Sequence, residues 1–109
     1  MKLVTKNKKI NIKICNNFFT RLKGFMFKKN INNILCFPKC NSIHTFFIFK
    51  KIDVIMTNKE NKVLYIYNNL KPFKIILPKK NVYYTYELPN NTNSYKINEK
   101  LIIEGEKYE

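Results

Sequence analysis

The sequence is poor in several residues on which common enzyme motifs depend. Its 109 residues include two glycines, four prolines, one histidine, one arginine and no tryptophan. No Gly-rich phosphate loop, Ser-His-Asp order, paired carboxylates or His-rich metal motif is present. A single imidazole also leaves few ways to run general acid–base chemistry. The sequence therefore favours a protein that is not an enzyme.

Long apolar segments are also missing. No run approaches the roughly 20 apolar residues that span a bilayer. The start, Met1 to Ile14, alternates Lys and Asn with single aliphatic residues, unlike a signal peptide. We therefore expect a cytoplasmic protein with no membrane partner. In that reducing compartment, Cys15, Cys36 and Cys40 are expected as free thiols.

Acidic residues are scarce, at seven against 21 basic residues, which gives a net charge of +14. Twenty of the 21 are Lys, scattered in pairs and accompanied by abundant Asn, Ile, Tyr and Phe. This composition is expected from an A+T-rich genome and favours a solvated basic surface. Weak, sequence-independent nucleic-acid binding through phosphate neutralisation remains an alternative.

Apolar residues make up 45% of the chain, enough for one core, and we expect a single domain over residues 1–109. Apolar residues spaced three and four apart predict one helix from Asn17 to Phe27. Asn58 to Asn61 separates two strands and predicts a hairpin. The expected fold is α+β and mainly β, with an antiparallel or mixed sheet curled toward a barrel. The predicted strands are 10–14, 34–37, 43–49, 52–57, 63–67, 73–77, 82–88 and 101–103.

Six short segments carry a resemblance to a known family. They are Arg21-Leu22-Lys23-Gly24-Phe25-Met26, Cys40 to Phe47 with the core Ile43-His44-Thr45-Phe46, Ile52-Asp53-Val54-Ile55, Lys71-Pro72-Phe73, Tyr86 to Asn91, and Asn98-Glu99. Together they resemble the domain-of-unknown-function 192 family over about residues 21–101. The resemblance implies a compact β-rich fold with one or two short helices, and it implies no established activity.

Several positions depart from the family pattern. Ile48 stands where Met is usual, Phe73 where Trp is usual, and Asn91 and Asn98 where Gly is usual. Asn tolerates a positive φ better than other non-Gly residues. We therefore expect the same turns to form at both Asn positions.

Chemically versatile side chains concentrate in one stretch. Cys40, Ser42, His44 and Thr45 bring a thiol, two hydroxyls and the only imidazole into six residues. A thiol beside an imidazole could act as a nucleophile, although residues four apart in a strand lie roughly 13 Å apart. This stretch is the candidate functional surface, and a purely structural role for it is the competing interpretation. The Cys36, Cys40 and His44 spacing is a weak zinc signal, and we expect no metal or other cofactor.

Arg21 is the one Arg in a composition that otherwise uses Lys. Its planar guanidinium can bind a carboxylate through two parallel hydrogen bonds, which Lys cannot reproduce. Asp53, in a strand predicted to be buried, is the candidate partner. Arg21 and Asp53 are therefore a candidate buried ion pair, and an anion-binding Arg21 is the alternative.

These observations leave three functions open. The first is a non-catalytic accessory domain that binds a small ligand or a protein partner. The second is an enzyme that depends on Cys40 and His44, and the third is a non-specific polyanion binder.

Overall fold

Strands account for all regular secondary structure in the part of the chain that the computed structural model describes. That part comprises residues 2–4, 9–17, 24–26, 33–91 and 95–105. Nine strands lie within it: β1 Lys2–Val4, β2 Lys9–Ile14, β3 Ile34–Pro38, β4 Ile43–His44, β5 Ile52–Thr57, β6 Val63–Leu70, β7 Ile75–Ile76, β8 Tyr84–Pro89 and β9 Ile103–Glu104.

Seven strands form one mixed sheet in the order β6-β5-β8-β3-β2-β1-β9. The β2 and β3 strands run parallel, with Ile12 opposite Ile34, and every other pair in the sheet is antiparallel. The β4 and β7 strands form a separate antiparallel pair in which His44 lies opposite Ile75. This small pair lies next in the chain to the loops that contain Phe46, Phe47 and Phe73.

The centre of the large sheet is buried on both faces. All six residues of β5 and the four residues 85–88 of β8 are buried. Alternate side chains enter two apolar clusters, so that Ile55 packs in one with Tyr86 while Val54 and Met56 pack in the other. A strand covered on both faces has mostly apolar residues without alternation, and the β5 sequence Ile-Asp-Val-Ile-Met-Thr has this pattern.

The hairpin predicted between residues 52–57 and 63–67 is confirmed, since β5 and β6 pair antiparallel. The Asn58 side chain closes its turn, because Oδ1 accepts the backbone N–H groups of Glu60 and Lys62, each at 3.0 Å. Asn61 then adopts a φ of 62°. Asn thus provides the positive φ at this turn that glycine provides in other chains.

The prediction of a helix from Asn17 to Phe27 is wrong in the residues that can be checked. Asn17 lies in a bend and residues 24–26 form a turn, while residues 18–23 and 27 lie outside the described part. Gly24 has a φ of +47°, a left-handed conformation that an α-helix does not contain. Buried Phe25 satisfies the apolar spacing by packing into the core from this turn. The described structure is therefore β-rich rather than α+β.

The predicted curling toward a barrel does not produce a closed barrel among the described strands. The two edge strands of the sheet, β6 and β9, share no ladder. The segment before β9 reaches the start of β6 through one bridge, between Lys62 and Lys100, and through the Val63 N–H bond to Glu99 O at 2.7 Å. Such a contact covers part of one edge without joining the strands.

Two further differences concern short strands. The β1 strand was not predicted, although it pairs with both β2 and β9. The strand predicted over 43–49 ends at His44, and the one predicted over 73–77 is limited to Ile75–Ile76. The described residues include no helix of the length and apolarity that crossing a membrane requires.

Candidate functional site

Thr45 joins two loops that meet beside the β4 and β7 pair. Its side chain is fully buried, and Oγ1 donates to Lys71 O at 2.8 Å and accepts the Lys74 N–H at 2.7 Å. Its own N–H bonds to Lys74 O at 2.8 Å, and its carbonyl accepts the Phe73 N–H at 3.0 Å. Because these bonds use backbone groups of both segments in a contact between two loops, the strands predicted over 43–49 and 73–77 are shorter than expected.

Two phenylalanines in these loops have unusual backbone conformations. Phe47 has a φ of 60° and Phe73 a φ of 61°. Bulky side chains rarely occupy the left-handed region, and such conformations persist where surrounding contacts hold them. Elsewhere in the described chain Asn takes this role at five of the eight non-Gly positions with positive φ: Asn61, Asn69, Asn81, Asn91 and Asn98. The conformations expected at Asn91 and Asn98 are thereby confirmed.

The same loops expose most of the large apolar side chains that face solvent in the described structure. Nine such side chains are exposed, and six belong to residues 44–49 and 71–77: Phe46, Phe47, Phe49, Phe73, Ile75 and Leu77. The Phe73 ring contacts those of Phe46 and Phe47, with centroids 6.3 and 6.1 Å apart. We call these six side chains the aromatic surface. An exposed cluster of rings such as Phe46, Phe47 and Phe73 marks an interaction site more often than isolated exposed residues do.

The residues of the predicted Cys40 to Thr45 surface have separate local partners. Cys40 Sγ is 3.1 Å from Ser42 O, and His44 Nδ1 accepts the Phe46 N–H at 3.2 Å. The His44 ring also stacks on the Phe46 ring, with centroids 5.3 Å apart. Ser42 is half-buried, and Thr45 joins the two loops through its buried hydroxyl. The structure thus connects His44 and Thr45 to the aromatic surface, while the thiol bonds to its own turn.

Asp53 is buried in β5, and three N–H groups bind its carboxylate. Oδ1 accepts from the Asn69 backbone and the Asn90 side chain, each at 3.0 Å, and Oδ2 accepts the Asn91 N–H at 2.9 Å. These bonds tie β5 to the ends of β6 and β8. Arg21 lies outside the described residues, so its pairing with Asp53 stays a prediction.

Glu87 is a buried carboxyl that the sequence reasoning did not single out. It lies in β8 opposite Val54 and Leu35, and its Oε1 has no hydrogen-bond partner among the described residues. Burial raises the pKa of Glu87 to about 8, with a smaller opposing effect from the Phe25 N–H. A Cβ on Gly24 would lie 2.8 Å from Oε1, so this turn sits directly on the carboxyl. Glu87 is therefore protonated over much of the neutral range.

Cys15 lies near the same carboxyl and is almost completely buried. Burial raises the pKa of the Cys15 thiol to about 11, Lys13 lowers it, and Glu87 raises it further. A thiol of this kind is a poor nucleophile at neutral pH. In the described part of the chain, no three His, Cys, Asp or Glu side chains are placed to hold a metal ion.

Both overlooked features left signals in the sequence. Four consecutive apolar residues, Phe46 to Phe49, cannot all face inward from a strand whose side chains alternate. Glu87 stands between buried Tyr86 and Leu88 in a strand that could have been recognised as covered on both faces. An acid in such a strand is worth examining for an altered pKa.

Comparison with known proteins places the chain among uncharacterised relatives. A UPF0127 protein of Thermococcus sibiricus is 32% identical over 90 residues, which cover 77% of this chain and 58% of the relative. The UPF0127 protein PF1050 of Pyrococcus furiosus is 35% identical over 94 residues, 79% of each chain. This chain spans a little over half the length of the two Thermococcus relatives.

Solved structures share the fold at low sequence identity. A Sinorhizobium meliloti 1021 protein named as a candidate transcription regulator superposes with a TM-score of 0.77 at 15% identity, over 93% of this chain and 89% of that one. A protein of unknown function from Novosphingobium aromaticivorans DSM 12444 gives 0.69 at 13% identity, over 83% and 71%. At these identities the similarity shows the fold alone.

The family model DUF192, described as "Uncharacterized ACR", matches residues 1–100. The match begins before Arg21, where the resemblance began, so it also includes the first two strands, and it ends one residue before Leu101. The expectation from the six sequence segments is thus confirmed, and the chain belongs to the DUF192 family.

Proposed function

We propose that this protein is a non-catalytic binding module and that the aromatic surface is where its partner binds. The observation that carries this proposal is the pair of exposed phenylalanines at positive φ. Such a conformation costs on the order of 1–3 kcal/mol for a non-Gly residue. Asn would fit both positions at lower cost, and this chain uses Asn at five equivalent positions. A strained, exposed Phe is therefore retained for something other than folding.

The network around Thr45 supports the same conclusion. Its buried hydroxyl and backbone hold both segments of the aromatic surface in one arrangement. A binding surface whose side chains are fixed before the partner arrives loses less conformational entropy on binding. The contact is therefore suited to presenting rigid aromatic anchors.

The alternative of a Cys40 and His44 enzyme has less support. The Cys40 thiol hydrogen bonds to Ser42 O, and the His44 imidazole accepts the Phe46 N–H. This hydrogen bond to Nδ1 fixes the orientation of the His44 ring within the loop. The enzyme would become the better hypothesis if Cys40 were labelled at a lower pH than an ordinary thiol and this difference disappeared in His44→Asn.

Matched variants test the binding module. The immobilised protein is exposed to extract of the organism that encodes it, and retained protein, nucleic acid and lipid are each quantified. We compare wild type with the double variant Phe47→Asn, Phe73→Asn, and with Ile102→Asn as a control on an exposed residue outside the aromatic surface. Loss of a retained component in the double variant alone supports the proposal. Equal retention by all three proteins, or retention by none, contradicts it.

A further inference from the structure

The two chain segments that carry the aromatic surface contain basic residues and no acidic ones. Residues 44–52 and 70–80 contain six lysines and no Asp or Glu: Lys50, Lys51, Lys71, Lys74, Lys79 and Lys80. Five of the six are exposed and Lys79 is half-buried. Lys71 and Lys74 flank Phe73, and Lys50 and Lys51 directly follow Phe49. The partner of this surface must therefore offer apolar groups together with negative charge.

The six apolar side chains project into solvent. Their exposed fractions run from 37% for Phe46 to 69% for Leu77. Exposed Ile75 and Leu77 flank Ile76 in the chain, and Ile76 is buried and anchors this segment in the core. A protein partner would need matching pockets for such side chains, whereas the acyl region of a bilayer accommodates them without any.

The ring geometry is less suited to stacking nucleic-acid bases. Base stacking needs an open aromatic face. His44 is stacked on Phe46, and the Phe47 and Phe73 rings meet edge to face at 71°. Exposed aliphatic residues such as Leu77 add apolar area without a stacking surface. The mixture of Phe, Ile and Leu fits a hydrocarbon environment better than it fits nucleobases.

From these observations, and resting on the proposed binding function, we infer that the aromatic surface docks on an anionic lipid bilayer. The phenyl and aliphatic side chains enter the boundary between headgroups and acyl chains. The lysine stems extend from that boundary, so that their ammonium groups meet the lipid phosphates. Sequence composition led us to expect no membrane partner because no segment can span a bilayer. Docking on the surface needs no spanning segment.

Vesicle co-sedimentation with the full chain tests this inference. The probes are vesicles of phosphatidylcholine alone and vesicles in which about a third of the lipid is phosphatidylglycerol. We expect binding to the anionic vesicles at least about tenfold tighter than to the neutral ones, weakening as salt rises from roughly 50 to 500 mM. The double variant Phe47→Asn, Phe73→Asn should lose at least about tenfold in binding to the anionic vesicles. Ile102→Asn should bind as wild type.

The variants also separate this inference from the proposed function. Lys71→Gln, Lys74→Gln should weaken anionic-vesicle binding at low salt and leave the stability of the fold unchanged. Equal vesicle binding by wild type and the Phe double variant overturns the inference, because charge alone would then explain it. Absence of vesicle binding overturns it as well. If retention from extract still depends on Phe47 and Phe73 in either case, a protein or nucleic-acid partner replaces the bilayer and the binding module stands.

Discussion

Two regions of this molecule use their unusual residues in opposite ways. At the centre of the sheet, polar groups are buried and serve the fold, as Asp53 does by accepting three N–H donors. At the aromatic surface, apolar groups are exposed and their backbone is strained. Substitution at the centre should therefore cost stability, whereas substitution of the strained phenylalanines should cost binding and spare stability.

Glu87 should make stability depend on pH. Between its ordinary pKa of 4.5 and about 8, the folded chain keeps a proton that the unfolded chain has lost. The free energy of unfolding should therefore fall as pH rises across that window, by about 1 kcal/mol per pH unit, and level off above it. Glu87→Gln should remove this dependence in denaturant titrations at pH 5 to 8. Glu60→Gln, on an exposed residue, should keep the wild-type slope, and a flat wild-type profile would contradict the assignment.

Thr45→Val should destabilise the protein by about 1–3 kcal/mol, because Lys71 O and the Lys74 N–H lose a buried partner. Denaturant midpoints measure the loss. Amide exchange should also accelerate at Phe73 and Lys74, showing that the aromatic surface has loosened. Thr57→Val is the matched control for the loss of a buried hydroxyl, since Thr57 is equally buried but its hydroxyl bonds to Asn61 and not to the loop that contains Phe73. Unchanged exchange at Phe73 in Thr45→Val would show that Thr45 does not fix this loop.

Arg21→Lys should cost about 1–3 kcal/mol if Arg21 binds a buried carboxylate, because Lys cannot reproduce its two parallel hydrogen bonds. The carboxylate of Asp53 has about four acceptor sites, of which three are occupied by described donors. A double-mutant cycle with Asp53→Asn should then show a coupling of about 1 kcal/mol. Additive effects would remove this pair.

The predictions from the sequence agree with the structure at the centre of the sheet and disagree with it at the aromatic surface. The β5 bounds, Ile52–Thr57, agree with the prediction, because an uninterrupted run of β-branched and apolar residues determines a buried strand locally. Elements that depend on distant contacts were missed. Thr45 ends β4 by bonding to residues about 26 positions away, and no local pattern contains that information.

The predicted helix failed for a related reason. Phe25 and its neighbours have helical spacing, but Gly24 takes a left-handed turn that rests on Glu87, 63 positions later in the chain. Tertiary packing overrides the local pattern there. Of the candidate site, the His44 and Thr45 segment could be selected by composition alone. The exposed Phe residues beside it were read as strand because their strain is visible only in the folded structure.

The free energies of unfolding of Phe47→Asn and Phe73→Asn, each measured by denaturant titration against wild type, test whether these phenylalanines serve binding or the fold. Relief of the positive-φ strain offsets the lost ring contacts, so we predict that each variant is as stable as wild type or more stable by up to about 1 kcal/mol. A loss of about 2 kcal/mol or more, comparable to that of Thr45→Val, would show that these phenylalanines serve the fold and would contradict a surface kept for binding.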